Sequence, residues 1–125
     1  MRKTLILSSL LFSNYIWANL YIRTEFLQAT EKKPIITKHH IFLNQPYEFR
    51  YWNRRYILTL KKIEKSRFVI ETETYNIKPL KYEQISGSIG ELNLGGVYTL
   101  EERDKDKKLI YRLNIFAEKI AETSK

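Results

Sequence analysis

The chain has 125 residues, and 43% of them are hydrophobic, which is enough for one domain with a core of its own. Its formal net charge of +8 favours anionic partners or surfaces. There is no cysteine, which excludes disulfide bonds, thiolate metal sites and a cysteine nucleophile.

Residues 1–18 have the parts of a secretory signal peptide. Two basic residues precede an apolar run from Leu5 to Phe12, and Ala18 supplies a small residue for cleavage. The alternative, an uncleaved membrane anchor, is disfavoured because a span needs about 20 mostly apolar residues. The sequence therefore predicts export of residues 19–125 to the periplasm or outside the cell, with no transmembrane span left after cleavage. Loss of the two basic residues lowers the net charge to +6.

The pattern after the signal peptide predicts β-strands. Asn19–Gln28 alternates apolar and polar residues, Ala29–Pro34 is a polar connection, and Ile35–Leu43 is again extended. The second of these strands contains both histidines, His39 and His40, whose side chains would point to opposite faces. Because they cannot readily share a metal ion, and no acidic residue lies at a ligand-like spacing, we expect no metal site and no cofactor.

The clearest hairpin signal lies in the segment Tyr47–Arg67. Two alternating runs flank Trp52-Asn53-Arg54, which predicts a tight turn between two strands. The segment contains seven basic and two acidic residues, so most of the net charge is concentrated there. Arginine and aromatic side chains, which are enriched in interface hot spots, lie at or beside the predicted tip. These candidate partner-binding residues are Arg50, Tyr51, Trp52, Arg54, Arg55 and Tyr56. The alternative is that the arginines and lysines form a solvated outer face and that five apolar residues of the hairpin are core: Tyr47, Phe49, Tyr56, Leu58 and Leu60.

The next stretch is predicted to form one strand, a long loop and a short strand. In the strand Phe68–Ile77, Glu71 and Glu73 share a face about 7 Å apart, a separation that inverting glycosidases use. Nothing nearby suggests the apolar pocket that would raise the pKa of a carboxyl group, so a solvated outer face is favoured. Lys78–Ser88 contains proline, serine and glycine and is predicted as the longest loop, followed by a strand over Ile89–Leu94.

The last part of the chain is predicted to contain two strands and two turns. Gly95-Gly96 predicts a hairpin turn, since paired glycines supply a positive φ. Val97–Arg103 is the next strand, and Asp104–Lys107 is a polar turn. Lys108–Ile120 is the last strand, and its length and partly apolar second face predict a central position in a sheet.

About eight short strands joined by turns predict an all-β fold. The leading architecture is a single small antiparallel β-sandwich, with immunoglobulin-like topology as one option. A closed β-barrel is the alternative, because the number of strands does not distinguish the two.

The sequence offers little support for an enzyme. The serines after the signal peptide are Ser66, Ser86, Ser88 and Ser124. None lies in a nucleophile motif, and Gly87-Ser88-Ile89-Gly90 misses the Gly-x-Ser-x-Gly pattern by its spacing. His39 or His40 would have to act as the base, with Asp104 or Asp106 to orient it. A small hydrolase is therefore the least favoured function.

We expect an exported, non-enzymatic binding protein that acts as an accessory or inhibitory factor on a protein partner in the cell envelope or outside the cell. Because arginine also suits carboxylate and phosphate groups, a surface module for anionic lipid or polysaccharide is the alternative. Nucleic acid is the usual partner of clustered basic and aromatic residues, but it is not expected for an exported protein.

Overall fold

The structure is a computed structural model and describes residues 19–121. The signal peptide predicted for residues 1–18 lies outside the described residues. The described part of the chain forms eight strands, numbered in chain order: β1 (Asn19–Gln28), β2 (Ile35–Phe42), β3 (Tyr47–Tyr51), β4 (Arg54–Glu64), β5 (Arg67–Lys78), β6 (Lys81–Asn93), β7 (Val97–Arg103) and β8 (Leu109–Ala121).

The strands form two antiparallel sheets of four. The first sheet has the order β2-β1-β8-β7 and the second has the order β3-β4-β5-β6. This confirms the predicted sandwich. The alternative of a closed barrel is wrong, since no hydrogen-bonded ladder joins β2 to β3 or β6 to β7. Every paired neighbour except β1 and β8 is consecutive in the chain, so the topology is a meander and differs from the Greek-key order of an immunoglobulin domain.

The core lies between the two sheets. Alternate side chains of each strand point into this space, and each fully buried aliphatic or aromatic one contributes about 1.5 to 3 kcal/mol. The side chains that are at most 1% exposed include Leu20, Ile22, Phe26, Leu58, Leu60, Phe68, Ile70, Leu92, Leu113 and Ile115. β8 lies between β1 and β7, which confirms its predicted central position.

The loop predicted over Lys78–Ser88 is wrong, because β5 and β6 meet in a turn of two residues, Pro79 and Leu80. The prediction rests on Ser86 and Gly87, which have little intrinsic preference for strands. Both lie in β6, an edge strand that is held by its backbone pairing with β5 and needs few packed side chains. The short strand predicted after the loop is the second half of β6, which has 13 residues.

The turn at Gly95-Gly96 is confirmed as a turn but not as a hairpin. Gly95 has a φ of 83°, and its N–H donates to the carbonyl oxygen of Ala117 at 2.7 Å. The strands on either side, β6 and β7, belong to different sheets. The positive φ that predicts a hairpin turn equally allows the chain to cross from one sheet to the other.

Candidate functional site

The six candidate residues lie on the β3–β4 hairpin, and three of them point into the protein. Tyr51 and Tyr56 are 8% and 5% exposed. Tyr51 stacks on Phe26 with ring centroids 4.7 Å apart, and its hydroxyl oxygen lies 2.6 Å from that of Thr24. Burial also raises the pKa of the Tyr56 hydroxyl. Both tyrosines therefore belong to the core and are not part of the outer surface of the hairpin.

Arg54 is the third inward residue, and it joins the two sheets. Its Nε and Nη2 donate to the two carboxylate oxygens of Glu102 on β7, at 2.8 and 2.5 Å. Its Nη1 donates to Asn76 Oδ1 at 2.8 Å, and the guanidinium carbon lies 5.0 Å from the ring centroid of Tyr111. The hydrogen bonds to Glu102 raise the pKa of Arg54. Since its donors are used inside the protein, we leave Arg54 out of the candidate surface.

Arg50 and Arg55 point outward and share one carboxylate. Arg50 Nε donates to Glu48 Oε2 at 2.9 Å, and Arg55 Nη2 donates to Glu48 Oε1 at 3.0 Å. The hydrogen bonds from Arg55 and then Arg50 lower the pKa of Glu48 to about 2. Because one carboxylate faces two guanidinium groups, this cluster keeps one positive charge at neutral pH.

Two tyrosines from the neighbouring strands complete the cluster. The guanidinium carbon of Arg55 lies 4.3 Å from the ring centroid of Tyr82 and 5.3 Å from that of Tyr75, and Arg50 Nη2 donates to the Tyr82 hydroxyl at 2.6 Å. Such cation–π contacts contribute about 0.5 to 1 kcal/mol each at an exposed site. Tyr82 is missing from the sequence candidates because it falls in the incorrectly predicted loop. Strand alternation places Tyr75 on this outer face beside Glu73, but nothing in the sequence pairs it with Arg55.

The tips of two hairpins lie side by side at this end of the second sheet. The N–H of Ile77 donates to the carbonyl oxygen of Asn53 at 2.9 Å, which ties the β3–β4 turn to the end of β5. Trp52, in the first turn, is 62% exposed, and Leu80, in the β5–β6 turn, is 98% exposed. Trp52 has a φ of 55°, at a turn position that favours glycine. Holding a bulky residue there costs about 1 to 3 kcal/mol.

These features define one surface, which we call the hairpin-tip surface: Arg50, Trp52, Leu80 and Tyr82. It combines exposed apolar and aromatic side chains with an arginine, the composition that dominates interface hot spots. Of the six residues predicted from the sequence, only Arg50, Trp52 and Arg55 lie on or next to it. Leu80 and Tyr82 come from the other hairpin.

The two histidines lie on opposite faces of β2, as predicted. His39 is half-buried, with Nε2 3.0 Å from Thr24 Oγ1 and Nδ1 2.9 Å from the Tyr47 hydroxyl, and burial lowers its pKa. His40 is exposed, and its Nε2 lies 2.7 Å from Asn19 Oδ1. Within residues 19–121 there is no group of three or more histidines and acidic residues placed to hold a metal ion.

The carboxylates singled out for acid–base chemistry lie on the outer face of β5. Glu71 Oε2 is 3.2 Å from Lys61 Nζ, and Glu73 Oε1 accepts a hydrogen bond from the Tyr75 hydroxyl at 2.7 Å. Glu71 is partly exposed and Glu73 is exposed. They therefore lie on a solvent-facing surface, each beside one polar neighbour.

The residues needed for a serine nucleophile do not meet in the described part of the chain. Ser88 Oγ lies 2.6 Å from Thr72 Oγ1 and accepts from the Tyr98 hydroxyl at 2.9 Å, with no histidine bound to it. Asp104 accepts the backbone N–H groups of Asp106 and Lys108 in its own turn.

No protein-family model matches the chain, and neither the curated proteins nor the solved structures contain a significant match to it. Residues 19–121 hold no helix with the length and apolar composition that a membrane crossing requires.

Proposed function

We propose that this chain is an exported, non-enzymatic binding protein that acts as an accessory or inhibitory factor on a protein partner in the cell envelope or outside the cell. The hairpin-tip surface is its contact site. One observation carries the proposal: Trp52 keeps a positive φ at a turn position that favours glycine, while 62% of its side chain is exposed. A strained residue that packs against little of its own protein is best explained by a contact outside it.

The energetics of the surface support a protein partner. An aromatic side chain presents about 150 to 250 Å², so burying the exposed part of Trp52 at roughly 25 cal/mol per Å² contributes about 3 kcal/mol. Leu80 adds an exposed aliphatic side chain at the neighbouring tip. Arg50 can turn to a carboxylate of the partner, because Arg55 still holds Glu48 when Arg50 leaves it. The surface therefore offers an apolar anchor beside an available cation.

The test is a crosslinking capture from the envelope and secreted fractions of the source organism with purified residues 19–125. We expect the wild type to capture one protein and Trp52→Gly to lose it. The variant removes both the aromatic ring and the strain, so the midpoint of thermal unfolding should stay at or above that of the wild type.

The matched control is Ile36→Ser, which removes a side chain that is 57% exposed on the other sheet. It should capture the partner as the wild type does. Capture by Trp52→Gly at the wild-type level, or an equal loss with Ile36→Ser, would contradict the proposal.

An anionic lipid surface or polysaccharide is the second candidate. Lys78 and Lys81 stand on either side of the turn that carries Leu80, so an exposed apolar residue projects between two cations. The tryptophan side chain has an apolar ring system and a polar N–H group. It is therefore enriched at the boundary between an apolar region and water, such as the headgroup region of a lipid bilayer. Binding to vesicles of anionic lipid should then fall steeply with salt. Saturable binding to one protein that salt hardly changes would decide against this candidate.

A further inference from the structure

β6 has an open edge over the segment Lys81–Ser88. The strand is the last of the second sheet and pairs only with β5. No backbone hydrogen bond joins residues 81–88 to any described residue outside the β5–β6 hairpin. Residues 81–87 are all exposed. An antiparallel edge strand points every second N–H and C=O group away from its neighbour, so a row of these groups faces outward here.

β7, the edge strand of the other sheet, leaves most of this segment uncovered and bonds it at its end, where the Tyr98 hydroxyl donates to Ser88 Oγ at 2.9 Å. The two edges meet at Gly90, where an added Cβ would lie 2.4 Å from Tyr98 Cε1. Beyond that corner a cavity of about 220 Å³ separates the strands. Ile85 and Ser86 line it from β6 and Leu100 lines it from β7, while Tyr56 and Tyr111 supply two aromatic rings that form its floor. The rest of the lining is polar or charged, with Thr74, Glu101, Glu102 and Arg103. The inner side of the open edge therefore borders a space with an apolar part, which Ile85, Leu100 and the two tyrosines supply.

The segment also has few of the features that normally block an edge. Edge strands usually carry central charges, prolines or bulges that prevent pairing with another chain. The charged residues of Lys81–Ser88 are Lys81 and Glu83, both near its start. The following residues Gln84–Gly90 are uncharged, and Ile85 and Ile89 among them are 41% and 74% exposed. The one irregularity is the extra residue Ile85 between the positions that pair with Thr74 and Tyr75.

A shallow groove crosses the outer face of the sheet from Ile57 and Thr59 on β4 to the same edge. Gly87, Gln84 and Ile89 lie along it, and its only charged lining residues are Glu71 and Glu73. Gly87 pairs with Glu73 and has no side chain to cover it. A strand added to β6 would lie about 9.6 Å from β5, two strand spacings away. A lysine on that strand can therefore extend its four-carbon stem across Gly87 toward Glu73.

We propose that an extended segment of the protein partner, with apolar and basic residues in alternation, pairs with β6 along Lys81–Ser88. Its backbone hydrogen-bonds the open edge, its apolar side chains enter the cavity floored by Tyr56 and Tyr111, and its basic side chains reach Glu73. Main-chain pairing combined with pockets for alternate side chains is a known mode of peptide recognition. The inference rests on the proposed function for the presence of a protein partner, and it specifies the chemistry of that partner.

The probe is a blocked synthetic peptide of eight residues that alternates lysine and valine, titrated into isotope-labelled residues 19–125. Saturable binding should shift the amide resonances of Lys81–Ser88 and slow their hydrogen exchange. The same peptide with alternate backbone nitrogens methylated should bind about tenfold more weakly or worse, because it loses main-chain hydrogen bonds. Replacing its lysines by glutamates should weaken binding by a similar factor.

The matching variant of the protein is Ile85→Lys/Gly87→Lys, which places two charges on the open edge. A Cβ added at Gly87 would lie 3.5 Å from its nearest atoms, an ordinary contact distance, and Ile85 is exposed. We therefore expect the variant to keep the fold. This variant should bind the peptide about tenfold more weakly. Ile35→Lys/Ile36→Lys makes the same change of charge on the edge strand β2 and should bind as the wild type does.

Three results obtained with the purified protein would overturn the inference. They are equal binding of the methylated peptide, resonance shifts that map away from Lys81–Ser88, and a peptide-free dimer whose β6 amides are protected. The dimer would make a second copy of the chain the occupant of the edge.

Partner capture distinguishes this inference from the proposed function. If Trp52→Gly abolishes capture and Ile85→Lys/Gly87→Lys leaves it intact, the β6 pairing is overturned and the proposed function is kept. Capture that both variants retain would contradict the proposed function.

Discussion

Arg54 and Arg50 lie four residues apart on one hairpin and have opposite surroundings. The side chain of Arg54 is 10% exposed and pairs with Glu102, whereas that of Arg50 is 51% exposed and pairs with Glu48. Removing one member of a buried pair leaves the other charge uncompensated and costs about 3 to 5 kcal/mol, while an exposed pair contributes about 0 to 1 kcal/mol. Arg54 therefore has a structural role between the sheets, and Arg50 belongs to the surface.

Substitution of each arginine by alanine tests this difference. Because Glu102 keeps some contact with water, we expect Arg54→Ala to lower the free energy of unfolding by about 2 to 3 kcal/mol, and Arg50→Ala by less than about 1 kcal/mol. Urea unfolding followed by tryptophan fluorescence measures both. The double variant Arg54→Met/Glu102→Leu should recover most of the loss, since it leaves no unpaired charge. Equal losses from the two alanine variants would contradict the role of Arg54 between the sheets.

His39 gives the protein a pH-dependent stability in the weakly acidic range. Burial lowers its pKa below the ordinary 6.5 in the folded state, so the unfolded chain takes up a proton more readily. This contribution to stability is complete above about pH 6.5 and falls as the pH drops toward the lower folded pKa. Urea unfolding at a series of pH values should show this fall in the free energy of unfolding for the wild type but not for His39→Gln. The glutamine side chain can form hydrogen bonds but does not titrate. A variant with the wild-type slope would refute this origin.

The sequence distinguishes inward-facing from outward-facing residues only where apolar side chains are buried and charged side chains are exposed. Under one of the two interpretations of the hairpin Tyr56 belongs to the core, and the structure has it there. Tyr51, predicted only as a partner-binding residue, is buried as well. Alternation does not predict the burial of Arg54, because the compensating carboxylate of Glu102 lies 48 residues away. Long-range charge pairs of this kind depend on which strands face each other across the sandwich.

At the scale of the elements, the corner between β6 and β7 depends on the absence of one side chain. Gly90 on β6 lies against the ring of Tyr98 on β7, whose hydroxyl donates to Ser88 Oγ at 2.9 Å. A Cβ at Gly90 would lie 2.4 Å from Tyr98 Cε1, far inside contact distance. The ring would have to move and lose this hydrogen bond, so the two sheets would pack less closely at their shared corner.

Alanine at two glycines of the same strand tests the corner. We expect Gly90→Ala to lower the free energy of unfolding by about 1 to 3 kcal/mol, the usual cost of overpacking. Gly87→Ala, where the added Cβ has only ordinary contacts at 3.5 Å, should change it by less than about 0.5 kcal/mol. Thermal and urea unfolding of the two variants measure the difference. Similar stability of both variants would show that the corner adapts to the extra methyl group.

The accuracy of the predicted elements follows the strength of the local pattern. Asn19–Gln28 alternates apolar and polar residues along its length and is a strand with the predicted ends. β6 begins with polar and small residues, and its pairing with β5 decides its conformation against their local preference. Gly95-Gly96 predicts a turn correctly, but a turn does not specify which strand the chain joins next.

At the scale of the whole molecule, the sheet order depends on contacts that no local pattern reveals. β1 pairs with β8 along both strands, from Asn19 with Ala121 to Gln28 with Tyr111, which joins the two ends of the described chain. On the side where β2 and β3 have no common ladder, side chains connect the sheets instead, with His39 bonded to the Tyr47 hydroxyl. The sequence predicts two layers and a central last strand, but not this closure of the meander.

The positive charge of the β3–β4 hairpin can promote binding through a specific contact of one residue or through the electrostatic field of the whole molecule. A matched pair of charge reversals distinguishes the two mechanisms. Arg50→Glu and Lys38→Glu change the net charge equally, but only Arg50 lies on the hairpin-tip surface, while Lys38 is exposed on the other sheet. If the contact with the partner is specific, Arg50→Glu should lower the affinity about tenfold or more, and Lys38→Glu should change it little. Arg50→Glu also places a second carboxylate beside Glu48.

Titrations of the captured partner at low and physiological salt measure both effects. Equal losses that vanish as the salt rises would attribute binding to the overall field and favour the anionic surface as the ligand, because screening acts on exposed charges regardless of position.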